Sequence, residues 1–430
     1  MPTFKPSPPE KEQVSLLLSD ANLEITQFTE YSFISSFLNA TDGFSFTVGF
    51  ERLSPEMQEA LVPGAAVKLS LNGRVQASGY IDSIEKTAAR GSGTEWRIEG
   101  RDRLGQVADA CADPTQSFKE SQTLIDALKS LFGRYGWPDD INFSESNDVN
   151  VELKTGKTRR SKTRTSDAKG FGRKALKQYK LHQLRPYTRE GVLEFAHRIT
   201  QRFGLWLWLS ADGNTVIAAE PDFDSEPSHK LFRNSRGETN VLDGSVKFNL
   251  TSQPTHIVAD SYTQAGEFGR GRAKVILPNA TIRIKGYEDD GDKAVPELQK
   301  YINAGAKVLG GPTFPSSTSM IVPKARVLYL HDDESQTPEH LEAFARREMG
   351  LLQRQGLTVN YTVEGHGQNT DDGFIPWTVD TTVDVEDEVA GLTERLYVLG
   401  RTLNKSRSGG TTTELDLIRL NTMSFTDTGR

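Results

Sequence analysis

The sequence predicts an α+β, mainly β protein with two β-barrel modules, each accompanied by a helical or α/β region. Three observations carry that prediction. Apolar residues alternate by two over much of 14–103 and again from 357 to 420, as strands with one buried face require. Between those stretches, apolar residues recur at helical spacing in short runs. Turn residues separate the runs at close intervals, Asn72-Gly73 most clearly. With 430 residues, 36% hydrophobic and 25% charged, the chain has apolar material for several domains.

Residues 1–13, rich in Pro and charge, read as an N-terminal tail. The first barrel is expected over 14–111. Leu23, Ile25 and Phe28 open a β-branched and aromatic run, and Phe44, Phe46 and Val48 alternate. Val67–Leu71 and Val75–Ile81 flank Asn72-Gly73, a hairpin signal because both residues tolerate positive φ. Ile84–Ala88 and Glu95–Gly100 flank a second loop. An α/β domain follows over 112–244, with a basic insert at 154–180. Leu124, Leu128 and Leu131 share one helix face; Val192, Phe195, Ile199 and Phe203 share another, which Gly204 ends. Leu205–Leu209 and Val216–Ala219 read as strands around Asp212-Gly213. The second barrel is assigned to 245–290 and 357–425, with strands at Thr358–Glu364, Trp377–Val385, Arg395–Lys405 and Thr411–Leu420. A helical and loop insertion occupies 291–356: Val295–Val308 and His340–Gln355 read as helices, Gly310–Pro323 as a loop.

Charge is uneven. The net charge is −7, yet 154–180 carries eleven Lys and Arg against Asp167 alone, which leaves −17 on the remainder. An acidic body with one basic segment is not a general nucleic-acid binder. Lys154, Lys157, Arg159, Arg160, Lys162, Arg164, Lys169, Arg173 and Lys174 are candidate electrostatic contacts with an acidic partner or phosphate; the alternative is a solvated loop. Phe171 and Tyr179 are its only aromatics, too few for a single-strand stacking groove. The longest apolar run, Leu205–Leu209, falls far short of the ~20 residues of a membrane helix. MPTFKPSPPEKEQ has no apolar signal-peptide core, so no membrane insertion is expected.

Motifs with chemistry are weak. Gly170-Phe171-Gly172 with Ala175 lacks the preceding apolar strand of a dinucleotide fingerprint. Ser83 and Lys86 have S-x-x-K spacing, and Lys154-Thr155-Gly156 supplies a K-T-G, but strand alternation sends Ser83 and Lys86 to opposite faces. The histidines offer no i, i+4 pair on one helix; His197 lies beside its helix's apolar stripe and reads as solvated or flanking. Glu288-Asp289-Asp290-Gly291-Asp292 fails the EF-hand glycine spacing. A single cysteine excludes an internal disulfide and a Cys-based zinc site; Cys111 reads as a small packed thiol. Trp206 and Trp208 read as packing residues. No catalytic, metal or cofactor site is expected.

Two ordered sets of residues carry a resemblance. The first is Leu61-Val62-Pro63-Gly64, Val67-Lys68-Leu69, the Asn72-Gly73 turn, Gly79-Tyr80-Ile81-Asp82, Ile98-Glu99-Gly100-Arg101-Asp102 and Cys111-Ala112-Asp113. The second is Tyr361–Gly367 (YTVEGHG), Trp377, Val383–Asp387, Leu396–Gly400 and Gly409–Leu417; Leu124–Phe132 and Val192–Pro221 match in order between them. Over about 14–420 the chain resembles the baseplate hub proteins of contractile phage tails, those of Mu-like phages especially. It departs from them in 154–180 and 310–323.

The resemblance implies a homotrimer in which each chain holds two tail-tube-like barrels, giving a pseudo-sixfold ring. Such a ring adapts a sixfold tail tube to a threefold central spike. The implied partners are the central spike protein and the tail tube or tube-initiator protein, with tape measure and baseplate wedge as further neighbours. Phage DNA would pass the channel without specific binding. The implied location is the tail baseplate of the virion, after assembly in the host cytoplasm, with no enzymatic activity and no cofactor. The alternatives are the hub of a tailocin or secretion-type injection system and a β-rich carbohydrate-active enzyme.

Overall fold

The computed structural model describes residues 12–39, 41–89, 93–118, 123–137, 142–144, 185–202, 205–223, 225–251, 253–262, 272–279, 281–285, 296–310, 320–332, 335, 338–370, 373–420 and 422. The basic insert 154–180, with every candidate contact from Lys154 to Lys174, lies outside the described residues. The strands in chain order are β1 (Val14–Leu18), β2 (Leu23–Ile25), β3 (Glu30–Ser36), β4 (Gly43–Gly49), β5 (Ala66–Leu71), β6 (Arg74–Ala89), β7 (Gly93–Asp102) and β8 (Asn142–Ser144). Next come β9 (Trp206–Leu209), β10 (Thr215–Ala219), β11 (His229–Arg233), β12 (Val241–Phe248), β13 (His256–Tyr262), β14 (Arg272–Pro278), β15 (Ile282–Ile284) and β16 (Lys307–Val308). The last are β17 (Met320–Val322), β18 (Val327–His331), β19 (Leu357–Glu364), β20 (Gly367–Thr370), β21 (Gly373–Pro376), β22 (Thr382–Asp387), β23 (Leu392–Ser406) and β24 (Gly410–Arg419). The protein is mainly β, with few helices.

The chain divides into two compact units, one of 1–200, 206–245 and 360–417, the other of 201–205, 246–359 and 418–430. A 13-stranded sheet dominates, in the order β12-β19-β24-β23-β3-β4-β7-β6-β5-β1-β2, with β22 paired to β23 and β11 to β22. The expected hairpin forms: Leu71 pairs with Arg74, and Asn72 and Gly73 have φ of 49° and 76°. Alternation also holds, since Phe44, Phe46 and Val48 are buried while their neighbours are half-buried. Leu16, Phe33, Phe46, Val48 and Ile98 form the centre of the first core, which Leu403 of β23 completes. A void of about 10 Å³ there touches Tyr31, Phe46 and Leu403. That is room for about one water.

Non-local pairings are what adjacency in sequence does not give. β4 pairs with β7, and β1 with β5. β3 pairs antiparallel with β23, from Gly400↔Ser36 to Lys405↔Tyr31. Strands from both ends of the chain therefore share one sheet. Beside them, the helices Leu124–Gly133 and Val192–Arg202 accompany the three-stranded sheet β8-β10-β9. Thr123 and Asp126 form a reciprocal capping box at the first of these helices.

In the second unit the sheet runs β16-β14-β13-β18. The helix Pro338–Gly356 sets Leu341, Ala345 and Met349 against Ile257, Ala259, Val275 and Leu277. The opposite face, Val258 and Ile276, packs with Leu298, Ile282 and Val322. This corrects the expected second barrel: β13–β15 pair among themselves and with strands of 307–331, not with 357–419. Apolar residues on both faces need two covering layers, which the two helices and the β15–β17 pair supply.

Three smaller expectations also change. The helix expected over Val295–Val308 is Pro296–Asn303; Gly305, with φ 85°, ends it, and Lys307–Val308 pair with β14. Within Gly310–Pro323, Met320–Val322 form a strand beside β15. The strand expected at Trp377–Val385 begins only at Thr382, because the chain turns through Asp380 at φ 61°.

Candidate functional site

The residues that carry chemistry meet in the first unit, between the N-terminal strands and β19–β24. The strand β19 ends at Glu364, and Gly365, at φ 72°, turns the chain. A Cβ at Gly365 would stand 2.7 Å from a Glu12 carboxylate oxygen, and one at Gly367 would stand 2.3 Å from the Ile375 carbonyl. Glycine flanks His366 for both reasons. The His366 ring is fully buried. Thr413 Oγ1 donates to the Gly365 carbonyl at 2.6 Å, so it accepts from His366 Nδ1 at 3.1 Å. The ring therefore carries its proton on Nδ1, and Nε2 accepts from the Tyr31 hydroxyl at 2.7 Å. Burial, with Arg401 and Lys405 nearby, pushes this imidazole down to about 3, so it is neutral at physiological pH.

Arg401 on β23 is buried to 1% exposure. It donates to the Trp377 carbonyl and, at 2.8 Å, to Gln76 Oε1 on β6. Burial pushes its pKa down to about 10, with the Asp42 carboxylate working against that shift, so it remains charged at pH 7. Trp377 is buried and stacks on His229 with ring centroids 4.0 Å apart. His229 Nε2 donates to the Ile375 carbonyl at 3.0 Å. A second group lies on β11, β19 and β22. Arg233 holds Asp387 with two hydrogen bonds, at 3.1 and 2.6 Å, and Tyr361 donates to the same carboxylate at 2.6 Å. A Cβ at Gly244 would stand 2.2 Å from the Tyr361 ring. These groups clamp strands. Most of their donors and acceptors meet protein partners, while Arg401 Nε and Trp377 Nε1 are buried without one among the described residues, and no nucleophile faces a base among them.

The first motif set has a bracing role. Cβ atoms at Gly79 and Gly100 would stand 1.9 Å from the Arg101 carbonyl and 2.2 Å from the Tyr80 carbonyl. Arg101 forks between Asp82 and Asp109, at 2.7 Å to each. Ser83 and Lys86 lie on the strand β6, as expected. Trp206 and Trp208 both pack on Phe37, with centroids 6.3 and 4.7 Å away. Cys111 corrects the sequence reading: it is exposed, on a residue whose backbone bridges to Gly191. His197 is half-buried with its Nε2 shut from water, so it flanks the core and is not solvated; burial pushes it down to about 4.

Glu12, Gln76, Arg401 and Thr413 went unread in the sequence. Glu12 lay in the presumed tail, and a lone Arg inside an alternating run gives no sign of burial. YTVEGHG was the visible signal, although only as a motif. Among the described residues no three His, Cys, Asp or Glu are grouped to hold a metal ion. No helix among them is long and apolar enough to cross a membrane.

Residues 352–419 match the family model described as a tail protein C-terminal domain. Among solved structures, the tail protein from Neisseria meningitidis MC58 is similar with a TM-score of 0.64 at 19% identity, over 96% of this chain and 99% of that one. The 43 kDa tail protein of prophage MuSo2 from Shewanella oneidensis has a TM-score of 0.63 at 15% identity, over 96% and 99%. No curated protein matches. The resemblance read from the sequence therefore stands: the C-terminal strands carry a tail-protein domain, and the chain has the fold of phage tail proteins.

Proposed function

We propose that this tail protein is the structural baseplate hub of a contractile phage tail. In this reading three copies close into a ring that adapts the sixfold tail tube to the threefold central spike and lines part of the DNA-ejection channel. The observation that supports it is the β3–β23 pairing, which joins strands 14–102 and 357–419 in one sheet. Two β modules fused in one chain give six modules in a trimer, which is what a threefold-to-sixfold adaptor needs. Closure of each module into a barrel belongs to the same proposal. Among the described residues the sheet ends in three strands, β12, β2 and β11, and these are the edges available to a neighbouring protomer.

The role is one of assembly, not catalysis, in the tail baseplate of the virion. The partners are the spike, the tube or tube initiator, and tape measure and wedge beyond them. An acidic wall would keep phage DNA from sticking, which the −17 outside 154–180 supports. Lys154 to Lys174 then serve as the electrostatic contact with an acidic partner surface. The test is absolute mass by light scattering across a concentration range. The expected species is near three times 47.7 kDa. A strict monomer at every concentration, with or without the spike, overturns the reading.

A further inference from the structure

Residues 12 and 13 cross between two turns that lie far apart in sequence. Gln13 exchanges hydrogen bonds with Asn72 at the tip of the β5–β6 hairpin: its N–H donates to Asn72 Oδ1, and its carbonyl accepts from the Asn72 N–H, both at 2.8 Å. Next to it, both carboxylate oxygens of Glu12 accept from the backbone N–H of His366, at 2.8 and 2.9 Å. The seat is tight, since Gly365 beneath it has no room for a Cβ. We infer that Glu12 is the titrating latch of a strap that fastens the start of β1 to the Gly365–Gly367 turn, closed at acid pH and loosened as the pH rises through neutrality.

The charges facing Glu12 favour that behaviour. Glu364 at the end of β19 is a like charge, and the N–H of His366 is the lone donor to the carboxylate among the described contacts. The His366 ring is neutral and engaged with Tyr31 and Thr413. Tyr31 on β3 is a phenol that burial and Glu12 hold protonated. The cations nearby, Arg401 and Lys405 on β23, act on His366 and lie toward Trp377 and Tyr31, not on the carboxylate. Burial first, opposed by the His366 bond and aided by Glu364, pushes Glu12 up to about 7. An open strap returns it to the ordinary value near 4.5. The closed form thus binds the proton more tightly. Its advantage is complete below about 4.5 and is lost as the pH rises through about 7.

The inference is independent of what the protein assembles with. It is tested by amide exchange of the full chain, read on peptides containing Asn72 and His366. Wild type and Glu12→Gln are compared at the same pH, so the intrinsic pH dependence cancels. Gln keeps an acceptor and mimics the protonated acid. Near-equal exchange is expected at pH ~4, below both pKa values, with wild type faster by about tenfold or more at pH 8.5; the two pKa values set a ceiling of roughly 300-fold. Glu12→Ala should speed exchange at both pH values. Equal exchange of wild type and Gln at pH 8.5, faster exchange of the Gln variant at either pH, or no effect of Ala overturns the latch.

Discussion

The two cores of the first unit hold together by different means. Around β1–β7 the interior is mostly hydrocarbon, with Leu16, Phe33, Phe46, Val48 and Ile98 almost wholly buried and Ser15, Ser35, Gln76, Ser78 and Asp102 as the buried polar residues on these strands. Around β19–β24 the buried set includes His366, Arg401, Asp387, Thr378, Thr382 and Thr413, among Tyr361, Trp377 and Tyr397. Hydrocarbon burial is non-directional, so a core of that kind accepts volume-conserving exchange at a cost of about 1.5 kcal/mol or less. A hydrogen-bonded interior is directional, and each partner removed leaves an orphan worth about 1–3 kcal/mol. The first core fixes that the strands collapse. The second fixes which turn meets which strand, and it is where the N-terminal strands are attached through Tyr31, Gln76 and Glu12.

The sharpest break in that comparison is Trp377→Asp. The ring is 1% exposed and stacked on His229, and its carbonyl receives Arg401. A carboxylate there adds a buried charge to a lost aromatic, an expected loss above about 5 kcal/mol. The outcome is protein that no longer melts cooperatively. Its counterpart in the hydrocarbon core, Phe46→Leu, should lose under about 2 kcal/mol in a urea titration. If both variants melt alike, the distinction between the cores is wrong.

A smaller effect isolates the charge network. Burial pushes Asp387 up, but the bonds from Arg233, Tyr361 and the Ala390 amide outweigh it and hold the carboxyl below its usual range. Its stabilisation is therefore present above pH ~4 and is lost as the pH falls below that value. Asp387→Asn leaves Arg233 without its countercharge, for an expected loss of about 2–4 kcal/mol at pH 7. The variant's melting temperature should also fall less steeply with acid below pH ~4. A parallel acid dependence in both proteins would mean that Asp387 does not titrate on unfolding.

What the sequence revealed follows the same division. Asn72-Gly73, the alternation of Phe44, Phe46 and Val48, and the helix from Leu124 were legible because their causes lie within a few residues. The β3–β23 pairing was not, because its partners stand more than 360 positions apart and nothing local marks them. Arg401 reads from sequence as a surface cation, since Arg is almost never buried without partners, and Gln76 and Trp377 become partners only in the folded sheet. Glu12 reads as tail, since a charged residue beside prolines has no apolar period. The Gly365–Gly367 motif was visible, although its reason, a turn with no space for a Cβ, is three-dimensional. The boundary between 245–290 and 357–419 failed because alternation predicts strands but not which sheet they join.

The smallest predicted effect tests whether the rim of the hydrocarbon core shares the directional character of the other. Asn72 supplies two things, a φ of 49° and the Oδ1 that receives the Gln13 N–H. Asn72→Gly keeps the conformation and loses the side-chain bond; Asn72→Ala loses both. Left-handed backbone at a non-glycine residue costs about 1 kcal/mol, and an exposed hydrogen bond is worth about 0.5–1 kcal/mol. The expected order in urea titrations is therefore a loss of about 1–2 kcal/mol for Ala and under about 1 kcal/mol for Gly. If Gly costs as much as Ala, the strap bond and not the turn conformation is what Asn72 contributes. The hydrogen-bonded order of the C-terminal strands would then extend through Gln13 to the tip of the first hairpin.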